Sequence, residues 1–514
     1  MTKPVDGTNR MRALAAILLF AAGAFAQAGG APGGAVANQL PLSGRTAQNG
    51  SVTATESPVP GTTTSVNTIN PTLQVSGPYA GSAGGAAPLP FSGRLSLREA
   101  VKRALEYNLG AVGIAQAVRQ ARGQQLVARS SLLPNLNGAL HEFDEKVSLK
   151  AQGLGSIPAL GASLPSVIGP FSYFDLRATL TQTVADMTAL NNYRSSKEIV
   201  RANRYSAEDA KDLIVFAVGG AYLQAIAATA RVESVRAQLE TATVLYSQAS
   251  QKRGVGLLAQ TDVNRSQVQA LTQQLRLVSV QNDLAKQKIN LARLVGLPAS
   301  DRYVLAENIP FSAAPSITLE EALKQALAKR ADLKAAEAQA RAARLSRSAA
   351  RAERLPSLAV SADYGAIGNK PTQSNATFTV VGTLRIPIWQ GGRTEGDIEQ
   401  ADAALTERKA EIEDLRGKIE SDIRNAYLDL EAAGSQVEVA LKNVRVTKET
   451  LDLTRQRFDA GVTDNVEVVQ AQESVAGAEL DYIDSVFAHN LAKLSLARAM
   501  GGAAENLAQF LKIE

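Results

Sequence analysis

Side chains able to carry covalent or metal chemistry are scarce in this 514-residue chain. There is no cysteine, and the two histidines, His141 and His489, lie far apart in sequence. Without cysteine there is no disulfide framework, thiolate nucleophile, Cys-ligated zinc or lipid-modified N-terminal Cys. Metal ligands normally cluster, so the histidines read as one strand residue and one helix residue, and neither a metal nor another cofactor is expected. The phosphate-binding loop and nucleophile-elbow patterns are both missing. The 54 basic and 49 acidic residues leave +5, spread without a basic block, which argues against a nucleic-acid partner. Composition therefore leans away from catalysis. It points to a long helical structural or transport protein, and the reading expects no enzyme.

The elements must then carry the function. Lys3, Arg10 and Arg12 precede a 14-residue apolar run, Ala13 to Ala26, and the stretch closes Ala24-Phe25-Ala26-Gln27-Ala28. A basic start, a short apolar stretch and small residues before a cleavage point read as a secretory signal peptide over 1–28. The run is shorter than the roughly 20 residues of a spanning helix. No later stretch reaches 18 apolar residues without charge. Any membrane crossed by the mature chain must then be crossed by strands. Residues 29–92 are mostly Gly, Ala, Ser, Thr, Pro and Asn, with almost no charge and few large apolar residues. They bury too little apolar surface to offset ordering entropy and are expected to form a disordered arm.

Beyond this arm the chain is written twice. Leu95 to Leu105 resembles Ile317 to Leu327 at an offset of 222, and Leu133-Pro134 and Leu355-Pro356 keep it. Ala221-Tyr222-Leu223 matches Ala426-Tyr427-Leu428 at an offset of 205, as do Gly256 and Gly461, Gln267 and Gln472, and Ala292-Arg293 and Ala497-Arg498. The 17 extra residues of the first copy fall in the Gly/Pro/Ser-rich stretch from Gln152 to Pro170, a loop by composition. The halves span 93–297 and 317–502, joined by a linker over 298–316 and followed by a tail over 503–514.

Each half reads as helix, strand, strand, long helix, helix. Ser96 and Thr318, with Glu99 and Glu321 three residues on, form capping boxes. Phe174, Leu176, Ala178 and Leu180 alternate with polar residues, and so do Phe378, Val380, Gly382, Leu384, Ile386 and Ile388 for most of their run. Weaker strand partners lie at Leu136–Phe143 and Leu358–Tyr364. Strands of about ten residues with one apolar face suit a membrane barrel. Four per chain are too few to close one. Proline-free helical patterns follow at Thr188–Lys252 and Arg393–Asp459, each long enough to reach on the order of 100 Å. Breaks at Gly254–Gly256 and at Gly461 separate them from second long helices. In the first of these Leu271, Leu275, Val278, Ala285, Ile289 and Ala292 form a coiled-coil seam.

Ile386-Pro387-Ile388-Trp389-Gln390-Gly391-Gly392, closing a strand and opening a long helix, resembles the strand-to-helix turn of TolC-like outer-membrane efflux channels. Arg457 to Gly461, Val468 to Gln472 and Ala497 to Gly501 resemble that family at matching spacing, with first-half counterparts from Gly256 to Val263 and at Leu294–Gly296. The resemblance runs from about Leu95 to Gly501. It implies a mainly α fold with a small β membrane part. Duplicated strand and long-helix halves would assemble as a homotrimer into a 12-stranded β-barrel and an α-helical tunnel. The Leu297–Ser316 link and the C-terminal residues would lie around the tunnel's middle.

The implied function is an exit duct of a tripartite efflux pump or type I secretion system in a Gram-negative outer membrane, with the tunnel in the periplasm. Its partners would be outer-membrane lipid, a periplasmic adaptor and an inner-membrane pump. The alternative is a non-channel periplasmic coiled-coil adaptor or scaffold, which leaves the amphipathic strands unexplained. Under the resemblance the two helix-helix turns form the periplasmic tip. Adaptor-docking candidates are Gly256, Leu257, Leu258, Thr261 and Asp262 in the first turn, and Ala460, Gly461 and Val462 in the second. The glycines also read simply as turn residues accepting positive φ, and Asp262 as either an adaptor-facing or a capping residue. Glu467 and Gln470 match the family's pore-narrowing acidic positions, so one ring would be acidic and one neutral; a solvated helix charge is the plainer reading of Glu467. Where the family carries a closing basic residue and an aromatic hydroxyl, this chain has Thr463 and Phe458, and no lock residues are inferred. Pro387, Trp389, Gly391 and Gly392 form the strand-to-helix turn, with Trp389 as an interface anchor.

Overall fold

A computed structural model describes residues 51–59, 68–83, 91, 93–148, 151, 166–300 and 302–512. The expected signal peptide lies outside them. Strands β1 (Val52–Val59) and β2 (Thr68–Val75) come first, then β3 (Arg94–Leu95), α1 (Leu97–Tyr107), α2 (Leu109–Ser130), β4 (Asn135–Val147), β5 (Ile168–Ala185), α3 (Met187–Gly254) and α4 (Gln260–Val295). The second half repeats this as β6 (Val304–Leu305), α5 (Leu319–Lys329), α6 (Ala331–Ala352), β7 (Ser357–Gly368), β8 (Ser374–Arg385), α7 (Arg393–Asp459) and α8 (Asn465–Ala499), and α9 (Ala503–Leu511) follows. The helices α3 and α7, of 68 and 67 residues, match the proline-free patterns closely.

The expected capping boxes form unequally. Thr318 and Glu321 exchange both hydrogen bonds. Ser96 accepts from the Glu99 N–H at 3.1 Å, but the Glu99 carboxylate is drawn to the buried Arg103 at 2.9 Å instead of returning to the backbone. The single helix expected after each box is two helices. Asn108 leaves helical geometry at ψ 132° and its Oδ1 caps Gly110 N at 2.9 Å, while its repeat counterpart Arg330 turns at ψ 125° and pairs with Asp332.

Part of the segment expected as a disordered arm is ordered. β1 and β2 pair antiparallel over Val52–Val59 and Thr68–Val75, and Leu73 and Val75 pack on the core. Two glycines explain the order: a Cβ on Gly220 would meet Leu73 at 2.7 Å, and one on Gly110 would meet Tyr79 at 2.5 Å. The arm fits into space left by missing side chains, a long-range match that its own composition does not carry.

The main core sits at the middle of α3, where Ile214–Val218 and Tyr222 pack with Leu291, Leu294, Leu491 and Leu494. Leu297, Tyr303 and Ile309 of the inter-repeat link join it, as do Ala503, Leu507 and Leu511 of α9. This stretch makes α3 long and apolar enough to cross a membrane, yet it is mostly buried inside the protein. A second cluster gathers Ile412, Ile419 and Ile423 with Leu496, Met500 and Phe510. The duplication is visible in the bonds: Tyr222 donates to Leu95 O at 2.9 Å, and its counterpart Tyr427 donates to Ile317 O at 2.6 Å.

Candidate functional site: the membrane sheet and the helix-turn tip

Four strands form one antiparallel sheet in the order β4-β5-β7-β8, so the two repeats join at its centre and β4 and β8 are its edges. Leu140 lies opposite Leu176, Leu180 opposite Ala362, and Tyr364 opposite Phe378. Period-2 alternation puts Leu136, Leu140, Leu176, Leu180, Tyr364, Phe378, Val380 and Leu384 on one face, all exposed. The other face is polar. There Arg177 pairs with Asp175 at 3.1 Å and with Asp363 across the strands, and donates to Thr377 Oγ1 at 3.3 Å. An exposed apolar face opposite a wet polar one is the pattern of a strand wall between lipid and lumen.

β8 stops at Arg385, so Ile386 and Ile388 lie beyond the strand in which their alternation placed them; Pro387, with no N–H to donate, follows its end. Gly391 and Gly392, at φ 62° and 85°, turn the chain into α7, with Trp389 87% exposed at the junction. The first half makes the same passage without glycine: Asp186 Oδ1 accepts from Ala189 N at 2.9 Å and starts α3 directly.

At the far end of the long helices the two expected turns share one geometry. Gly256 and Gly461 adopt φ 78° and 72°. Leu257 N donates to Lys252 O, and Val462 N to Arg457 O, each at 2.9 Å, which closes both helices with left-handed caps. Leu257 is 75% and Val462 67% exposed, Thr261 and Ala460 are also exposed, and Leu258 is half-buried. Asp262 does not cap its helix; its carboxylate pairs with Arg265 at 3.3 Å. Glu467 and Gln470 lie three residues apart on the exposed face of α8, and Glu467 pairs with Arg457 at 3.4 Å.

The residues that tie the tip together were not singled out by sequence. Asn465 is 3% exposed and donates to Asp262 O at 3.0 Å and Ser266 Oγ at 2.8 Å, joining the starts of α4 and α8. Lys252 pairs with Asp459 at 3.0 Å and sits 4.3 Å from the Phe458 ring centre, joining the ends of α3 and α7. Higher up, Glu479 accepts from Ser234 at 2.6 Å and Gln238 at 3.3 Å and pairs with Lys448 at 2.8 Å. Burial pushes its carboxyl up, but these partners outweigh that and hold it below the usual carboxylate range. A cavity of about 250 Å³ opens beside it, bordered by Gln238, Gln273 and Arg455. Thr463 has a buried hydroxyl with no hydrogen-bond partner among the described residues, and Phe458 packs on the small cluster around Leu451 and Val468. His141 lies in β4 and His489 in α8, and among the described residues no group of three His, Cys, Asp or Glu could hold a metal.

A strand wall with one lipid-like face, continued by helices of nearly seventy residues, defines one wall of a membrane channel with a long tunnel. Known proteins share it. The family model described as outer membrane efflux protein matches residues 322–502. The outer membrane protein OprJ of Pseudomonas aeruginosa is 26% identical over 423 residues, covering 79% of this chain and 84% of that protein. The outer membrane protein TolC of Escherichia coli is 23% identical over 390 residues, covering 73% and 76%. The solved structure of the outer membrane protein VceC of Vibrio cholerae superimposes with a TM-score of 0.68 at 20% identity, over 79% of this chain and 96% of that one. The chain is thus similar to outer membrane efflux proteins, the TolC-like channels: the family model matches much of its second half, and the relatives and the solved channel match most of its length.

Proposed function

We propose that three copies of this chain close one 12-stranded barrel and one helical tunnel, and that the trimer is the exit duct of a tripartite efflux pump or a type I secretion system. It conducts small molecules or peptides passively, with the energy supplied by an inner-membrane pump. The observation that carries this reading is the unmet demand of a single chain. Its four-stranded sheet has two open edges and an exposed apolar face. Most of the expected seam is turned outward as well, with Leu271, Leu275, Val278 and Ile289 between 48% and 73% exposed, while Ala292 at its end is buried. Unpaired strand edges are not tolerated in lipid, and an apolar helix seam calls for a neighbour. Three chains of four strands meet both demands. A soluble adaptor or scaffold leaves the apolar sheet face without a use.

Leu257, Leu258 and Val462, supported by Gly256, Thr261, Asp262, Ala460 and Gly461, form the surface on which a periplasmic adaptor docks. Glu467 and Gln470 face the pore. Three Glu467 carboxylates near one axis repel one another and attract cations. Trp389 anchors the strand-to-helix turn at the membrane interface. The domain limits follow the duplication: repeats over 93–297 and 317–502, linker 298–316 and tail 503–514.

The test is conductance. Detergent-purified protein should run as a heat-modifiable trimer and open channels in planar bilayers. A chain that stays soluble without detergent and conducts nothing sinks the reading. Glu467→Gln should change cation block or conductance, and an unchanged single-channel record removes Glu467 from the gate.

A further inference from the structure

The β4–β5 hairpin outgrows the rest of the sheet. β7 and β8 end at the row Phe174–Gly368–Ser374, whereas β4 and β5 stay paired through Glu145 opposite Phe171 and, past an irregularity, Val147 opposite Ile168. On this extension the polar face becomes aromatic. Side chains two apart share a face, so His141, Phe143 and Glu145 lie on the side of Arg177, together with Tyr173 and Phe171. Phe143 and Tyr173 stack with ring centres 4.7 Å apart and planes 19° apart. Phe171 lies 6.2 Å from Tyr173 at 20°, and His141 lies 5.9 Å from Phe143. These rings do not form a lipid-facing girdle, because Leu140, Leu176 and Phe174 occupy the opposite face.

The charge beside the rings is negative. Glu145 is exposed, stands directly across from Phe171, and has no ion pair among the described residues. Glu142, Asp144 and Lys146 alternate onto the opposite face, so Glu145 supplies the charge on the ring side of the extension. Aromatic faces carry a negative quadrupole that attracts cations, and flat rings stack best on flat partners. A planar organic cation satisfies the rings and the carboxylate together. We propose that Phe143, Tyr173, Phe171 and Glu145 form a contact site for planar organic cations at the exit of the channel, a proposal that rests on the duct reading above.

Ethidium, added from the side of the β4–β5 hairpin to channels in a planar bilayer, tests it, with hexaamminecobalt(III) as a cation that has no ring. Ethidium should block the wild-type current. Phe143→Ala with Tyr173→Ala should raise its half-blocking concentration about tenfold, the scale of a lost ring–cation contact, and leave the cobalt block unmoved. Glu145→Gln should weaken both blocks. Phe143→Leu with Tyr173→Leu keeps apolar bulk in case the alanine pair fails to assemble, and it must weaken ethidium block as well. Equal ethidium block in wild type and either ring variant overturns the proposal, as does an equal loss for both cations on removing the rings. A wild-type chain that conducts nothing refutes the duct, and this site with it.

Discussion

The most telling perturbation is at Lys493. Its side chain is fully buried in α8, and its ammonium donates to Ser312 Oγ of the inter-repeat link at 2.8 Å. Among the described residues no carboxylate pairs with it. The other titratable groups beside it are Lys512, which repels it, and the buried His489, whose own pKa falls to about 4 through burial and then through Lys493. Burial, with Lys512 adding to it, lowers the Lys493 pKa from 10.5 to about 8. The unfolded chain holds this proton up to about pH 10.5, while the native protein releases it near 8. Between those values the unfolded state binds more protons, so stability rises with pH. At 1.36 kcal/mol per unit, the charge costs about 3 kcal/mol at pH 7 and about 1.5 kcal/mol at pH 9.5. Guanidinium denaturation of the detergent-solubilised protein, followed by helical circular dichroism, should show a gain of roughly 2 kcal/mol from pH 7 to 9.5 that disappears in Lys493→Met. The variant should also be the more stable protein at pH 7. If wild type and variant share the same pH slope, the buried ammonium carries no such penalty and the reasoning fails.

Gly461→Ala places a Cβ at φ 72° in open space and should cost about 1 kcal/mol through backbone strain alone. By contrast, Gly417→Ala in the helical interior of α7, equally open, should be neutral or stabilising by up to about 1 kcal/mol; the two denaturation midpoints must move apart. Tyr427→Phe should cost about 1 kcal/mol for its bond to Ile317 O, and Tyr222→Phe more, because the Glu307 carboxylate loses a partner too; equal losses by calorimetry would contradict the bonding described. Leu257→Asp with Val462→Asp should abolish site-specific crosslinking to the adaptor while leaving trimer yield and conductance intact. Retained crosslinking would remove the two exposed tips from the docking surface.

The long elements were legible because their signals are local and repeated. Period-2 alternation marked β5 and β8, proline-free helical runs marked α3 and α7, and the shared offset placed Gly256 and Gly461 at equivalent turns. The break between α1 and α2 was hidden because Asn108 caps Gly110 through one short side chain inside an otherwise helical pattern. The order of β1 and β2 depends on Leu73 entering the space at Gly220, nearly 150 residues away. No local composition reports such a fit. At the tip, the turn points to exposure of both Leu257 and Leu258, and the structure exposes Leu257 but half-buries Leu258. The bonds of Asn465, and the contact of Lys252 with both Phe458 and Asp459, join helices that are remote in sequence, and their residue types are ordinary on a helix surface.

The two open edges of the sheet have a kinetic consequence. A single chain cannot enter a bilayer strand by strand, because β4 and β8 would carry unpaired backbone groups into hydrocarbon. Insertion and association of the proposed trimer are therefore one event. Its rate should climb steeply with the concentration of unassembled chain, and slow expression should leave chains waiting in the periplasm with two sticky borders. Those borders are also the places where a holding chaperone, or a wrongly paired strand, would intercept the protein before it reaches the membrane.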